Sequence, residues 1–120
     1  MFVTAWNNGR HHASGAGYGL KVAIADRDRC FDPEEDSVVL ELEGWDAPVT
    51  VNTAKASFWG PTCWELIDRE IGRWLRRHGL APWPEGRPPR LRMEPLARNR
   101  FAVRPMVGDT DSTETSLGDR

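Results

Sequence analysis

Residues 37–52, SVVLELEGWDAPVTVN, decide the fold class. Val38, Leu40 and Leu42 alternate with Val39, Glu41 and Glu43, a period of two that puts one apolar row on one side of a strand. Gly44-Trp45-Asp46 closes that strand, and Val49 to Asn52 resumes the alternation as its expected hairpin partner. Working outward, Phe2–Trp6 and Leu20–Ile24 read as two earlier strands. Leu91–Glu94 and Phe101–Val103 read as two later ones, joined by a turn near Arg98-Asn99.

One helix is expected between these groups, over Cys63–His78. Trp64, Ile67, Ile71, Trp74, Leu75 and His78 recur at helical spacing. Thr62 and Glu65 fit a capping box, and Gly79 fits the position after the last turn, where Arg76, Arg77 and His78 suit the helix dipole. Gly72 inside it costs about 1 kcal/mol relative to Ala, which a close approach to the sheet would explain. Strands that follow one another without intervening helices pair mainly antiparallel. The expected fold is therefore α+β in the order β-β-β-β-α-β-β: a mainly antiparallel curled sheet or partly open barrel packed on one amphipathic helix. Residues 1–105 are expected to form one compact domain. Residues 106–120, polar and acidic, are expected to be disordered.

At 120 residues, 39% hydrophobic and 28% charged, the chain has the composition of an ordinary globular domain. It opens with no signal peptide and holds no apolar run of membrane-spanning length, so a cytoplasmic protein without membrane contact is expected. Cys30 and Cys63 form no CxxC pair and read as buried free thiols. The net charge of −2 hides an asymmetry: residues 61–104 carry 10 basic and 5 acidic side chains, and 14 of the 16 basic residues are arginine. Six tryptophans, at 6, 45, 59, 64, 74 and 83, belong mostly to the core. Trp83, between two prolines, is the one expected to be half exposed.

The stretch Trp6–Gly19, WNNGRHHASGAGYG, is the expected site. Its glycines, asparagines and two adjacent histidines suit a binding loop better than a packing element. The glycine spacing is neither a dinucleotide fingerprint nor a P-loop, and no cofactor or metal is expected. Asn7, Asn8, Arg10, His11, His12, Ser14, Gly15, Gly17 and Tyr18 are the candidate ligand-binding residues, joined by Arg73 and Arg77 from the helix if its arginine face meets the loop. Asp26-Arg27-Asp28-Arg29, read as a strand extension, would put two carboxylates on one face.

The segments WNNG, SGAGYG, DRDR, SFW, IGRWL, PW and PP, spread over residues 3–104, resemble a family of small bacterial proteins found as isolated genes, including in mobile gene cassettes. That resemblance implies no activity. The strand order, with a polar glycine loop between the first two strands, is similar in architecture to B3-like DNA-binding pseudobarrels. The leading functional expectation is a small non-catalytic binding domain whose loop takes a ligand, with weak nucleic-acid binding as the chemistry considered first. One alternative is a metal-independent nuclease using His11 or His12 with Arg10 and Arg27. Another is a small-molecule or partner-protein module with an apolar pocket lined by Tyr18 and a tryptophan.

Overall fold

The structure, a computed structural model, describes residues 1–61 and 64–106. Seven strands, β1 (Phe2–Asn7), β2 (Tyr18–Lys21), β3 (Ser37–Leu42), β4 (Val49–Asn52), β5 (Glu65–Ile67), β6 (Arg90–Ala97) and β7 (Arg100–Pro105), form one sheet. Three helices interrupt them: α1 (Ile24–Cys30), α2 (Ala56–Trp59) and α3 (Arg69–Arg77). The strand order is β4-β3-β7-β6-β1-β2-β5. Five of the six pairings are antiparallel, and β3 with β7 is parallel. The end strands β4 and β5 approach one another, so the sheet curls into a nearly closed barrel. The fold is α+β, as the strand patterning predicts, and the expected β3–β4 hairpin is present with Val38, Leu40 and Leu42 buried.

The element order differs from the expected β-β-β-β-α-β-β: one further strand, β5, and two further helices, α1 and α2, are present, and two segments account for most of the difference. The helix begins at Arg69, not Cys63, because Glu65–Ile67 is a strand paired to β2. Leu66 lies beside Leu20 and both are fully buried, whereas Ile67 is exposed. Asp68 caps α3 in place of Thr62, its carboxylate accepting the Glu70 N–H at 2.8 Å. Thr62 and Cys63 lie outside the described residues, as does the expected tail from Val107. The stripe that remains, Ile71, Trp74 and Leu75, is completely buried.

The second difference is at Ile24–Cys30, which is helix rather than the continuation of a strand. Successive residues on a helix are about 100° apart, so Asp26 and Asp28 do not share a face. Asp26 pairs with Arg29 and Asp28 with Arg27. Arg27 points inward, 5% exposed, and donates to the carbonyls of Phe58 and Gly60 at 2.8 and 2.7 Å. The Ser57-Phe58-Trp59 segment is the short helix α2, docked by that arginine. No group of three or more His, Cys, Asp or Glu side chains among the described residues is disposed to hold a metal ion. No described helix is long and apolar enough to cross a membrane.

One residue fastens the start of the parallel β3–β7 pairing. Asn99, 6% exposed, takes φ +49 in the β6–β7 turn. Its side chain accepts the Asp32 N–H at 2.9 Å and donates to the Ser37 carbonyl at 3.2 Å, while its own carbonyl accepts the Val39 N–H. Asparagine tolerates the left-handed conformation and supplies both bonds. Replacing Asn99 by Ala should cost about 3–4 kcal/mol, two net hydrogen bonds near 1 kcal/mol each plus left-handed strain of about 1–2. Asn99→Gly should recover the strain and not the bonds, which urea denaturation of both variants would separate.

Asp32, beside that turn, is held below the usual carboxylate range, first by the Glu34 N–H and then by Arg98, which pairs with it directly. A carboxyl depressed in the native state stabilises fully above its ordinary value and loses that contribution as pH falls through it. The stability gap between the native chain and Asp32→Asn should therefore be complete at about pH 6 and shrink below about pH 4. Parallel urea titrations across that range would measure it.

Candidate functional site

The Trp6–Gly19 loop leaves β1 at Asn7, returns into β2 at Tyr18 and lies against α3. What brings it there is backbone contact. A Cβ on Gly72 would stand 2.3 Å from the Gly15 carbonyl oxygen, and one on Gly15 would stand 2.4 Å from that of Arg69. Gly15 also takes φ +88, which glycine adopts without penalty. The helix glycine expected to face the sheet thus faces the loop, and Tyr18 below it. Gly17 fits against the Asn8 side chain, and the Asn8 N–H donates to the Gly17 carbonyl at 2.9 Å.

Inside the loop a small aromatic and polar cluster forms. Tyr18 is fully buried, and its hydroxyl lies 2.6 Å from Nδ1 of His11. Arg76 donates to the same hydroxyl at 3.4 Å. Nδ2 of Asn7 is 3.3 Å from Nδ1 and 3.1 Å from Nε2 of His11. Near equality of those distances puts the amide over the imidazole face, so the contact is of N–H···π kind rather than a bond along either lone pair. The Asn7 Oδ1 accepts the Gly9 N–H at 3.0 Å. Trp83 is half-buried, as are Trp6, Trp45, Trp59 and Trp64, so Trp74 alone of the six tryptophans joins the buried core, against expectation. Trp83 meets His11 edge-on at 4.6 Å between ring centres and Tyr18 at 5.7 Å. His11 therefore fills the space between Tyr18 and Trp83 that a small apolar ligand would have needed.

The remaining candidates divide. The Ser14 carbonyl accepts from Nε of Arg73 at 3.1 Å, and Arg73 also pairs with Glu70 at 2.7 Å. The His12 carbonyl accepts the Gly15 N–H. Arg10 is exposed on the loop, and Arg69 is exposed on the first turn of α3. Arg77 lies away from the loop, with its guanidinium 4.2 Å from the Trp45 ring centre. Trp45 in turn donates to Glu70 at 3.0 Å. Arg27, proposed as a catalytic partner, has its guanidinium taken up by Phe58, Gly60 and Asp28, none of which belongs to the loop.

A cleft of about 530 Å³ lies elsewhere, at the β3–β4 turn, where Glu41, Glu43, Asp46 and Glu94 line it with Arg104. Glu41 is paired to Arg100, and Glu94 to Arg92 and Arg104. Sequence reading assigned this cleft nothing. Its residues are far apart in the chain, and no local pattern joins residues 41–48 to Glu94 and Ala102–Arg104.

The loop–helix contact makes a prediction. Gly→Ala within a helix gains up to about 1 kcal/mol of propensity. At Gly72 the intruding methyl meets backbone, which cannot swing aside, and overpacking of that kind costs about 1–3 kcal/mol. Gly72→Ala should therefore lower the urea midpoint. A rise would show that the loop yields.

Family models, curated proteins and solved structures were all compared with this chain, and none matches it.

Proposed function

We propose that the chain is a non-catalytic binding domain for a polyanion, nucleic acid being the class, and that the Trp6–Gly19 loop and the arginine-bearing face of α3 form its site. The observation that carries this reading is the union of loop and helix. Gly15 packs on the Arg69 and Arg73 backbone, Arg73 bonds the Ser14 carbonyl, and Arg76 reaches Tyr18. Exposed Arg10 and Arg69 have no carboxylate within ion-pair distance among the described residues, so their charge is available. Planar guanidinium groups suit phosphate.

The nuclease reading has less support. General acid–base cleavage needs titratable groups that converge on a reacting atom. His11 is engaged by Tyr18, Asn7 and Trp83, and among the described residues no carboxylate hydrogen-bonds to either loop histidine.

Arg10→Ala with Arg69→Ala removes two exposed cations that hold no hydrogen bond or ion pair among the described residues, so stability should change little. Each lost phosphate contact should flatten the slope of log K against log salt by about 0.7–0.9. An oligonucleotide titration over a salt series measures this. No complex at low salt with about 100 μM protein would overturn the reading, since non-specific binders reach roughly 10⁻⁴–10⁻⁶ M at physiological salt.

A further inference from the structure

The outward face of the sheet carries residues that the loop reading does not use. On β1, Val3 and Ala5 point inward and are buried, so Phe2, Thr4 and Trp6 point outward. The strand register sets them in rows. Phe2 lies beside Arg92, and Arg92 beside Arg104. Thr4 lies between Arg90 and Lys21, with Glu65 beyond. Trp6 lies beside Gly19, which lies beside Ile67.

The chemistry of these rows is uniform enough to interpret. Phe2 is 42% exposed, an unusual state for a large aromatic residue. The guanidinium carbons of Arg90 and Arg92 stand 5.0 and 5.5 Å from its ring centre. Trp6 is half-buried, and its indole N–H, like that of Trp83, has no acceptor among the described residues, whereas the indoles of Trp45, Trp59, Trp64 and Trp74 all have one. Arg92 and Arg104 share Glu94, and Arg104 also borders the acidic cleft, whereas Lys21 and Arg90 hold no ion pair among the described residues, so the β1–β2–β6 part of the face keeps a net positive charge. Phe2 and Trp6 are separated along β1 by about 13 Å, four residues of extended strand.

We infer that this face is a platform for single-stranded nucleic acid, on which bases stack against Phe2 and Trp6 while Lys21, Arg90, Arg92 and Arg104 meet phosphates. Charge complementarity names the partner as a polyanion, and the interleaved aromatic rings narrow it. A base presents a flat apolar face between charged phosphates, the same alternation that the rows present. In a duplex those faces are already stacked within the helix, so the rings gain nothing from it. The surface is distinct from the loop site, adjoining it at Trp6 and Gly19, and stands whether or not the loop binds.

The test is fluorescence anisotropy at low salt with a labelled 12-nucleotide oligo-dT and, separately, a labelled 12-base-pair duplex. Native protein should bind the single strand more tightly than the duplex. Phe2→Ala should weaken single-strand binding roughly tenfold, the scale of one lost stacking contact, and Phe2→Tyr should retain it. Circular dichroism of Phe2→Ala should match that of the native protein, which separates lost stacking from lost folding. Arg10→Ala with Arg69→Ala should leave the preference for the single strand intact. Equal affinity of Phe2→Ala and native protein overturns the proposal, as does duplex bound as tightly as single strand. Loss of binding confined to the Arg10 and Arg69 variants would overturn it while upholding the loop site. Binding to vesicles with 30% phosphatidylserine and not to oligo-dT would overturn it in favour of a lipid surface.

Discussion

Two glycines 57 positions apart in the chain, Gly15 and Gly72, meet backbone to backbone, and the arrangement of the site depends on that contact. With any side chain at either position, α3 would have to stand away from the loop. Arg73 would then lose the Ser14 carbonyl, and Tyr18 would lose the lid that keeps its ring dry. Glu70 extends the connection, accepting from both Arg73 and Trp45, with Arg77 stacked beyond. One helix thus ties the loop at one end of β1 to the β3–β4 turn across the sheet.

Charge is sorted along the sheet. Toward β3 and the β3–β4 turn lie Glu41, Glu43 and Asp46, lining the cleft. Toward β1, β2 and β6 lie Lys21, Arg90 and Arg92. Glu94 and Arg104 stand at the boundary and bond across it. The exposed members of these pairs contribute little to stability. Their larger effect is on the field that an approaching ion meets, since Arg100 and Arg104 offset part of the acidic half, while Lys21 and Arg90 hold no carboxylate among the described residues.

The strands were legible because alternation is a local signal. Val38, Leu40 and Leu42 announce a buried face without knowledge of any partner. The extent of the helix was not, because Trp64 and Ile67 fit a helical stripe while Trp64 and Leu66 fit one face of a strand. What decides between them is a place beside Leu20, which is a tertiary fact. The same holds for Arg27, whose alternating neighbours suggest a strand, and whose burial depends on carbonyls more than thirty residues away. The loop could be read as special from its glycines. That two of its features serve packing against α3 rather than a ligand required Gly72 to be seen opposite Gly15. The outward face of Phe2 and its arginines was invisible for a further reason: its rows are assembled from the two ends of the chain.

That assembly has a consequence for how the molecule forms. The hairpins β3–β4 and β6–β7 close over short turns, but Val3 lies beside Leu91 and Val39 beside Arg100. Closing such long loops costs entropy before any contact repays it, and topologies of this kind fold slowly. On a ribosome, β1 waits with one edge unpaired until residues 90–92 have emerged. The central strand of the basic half is therefore among the first segments made and among the last to be enclosed, and the nascent chain carries an open edge for most of its synthesis.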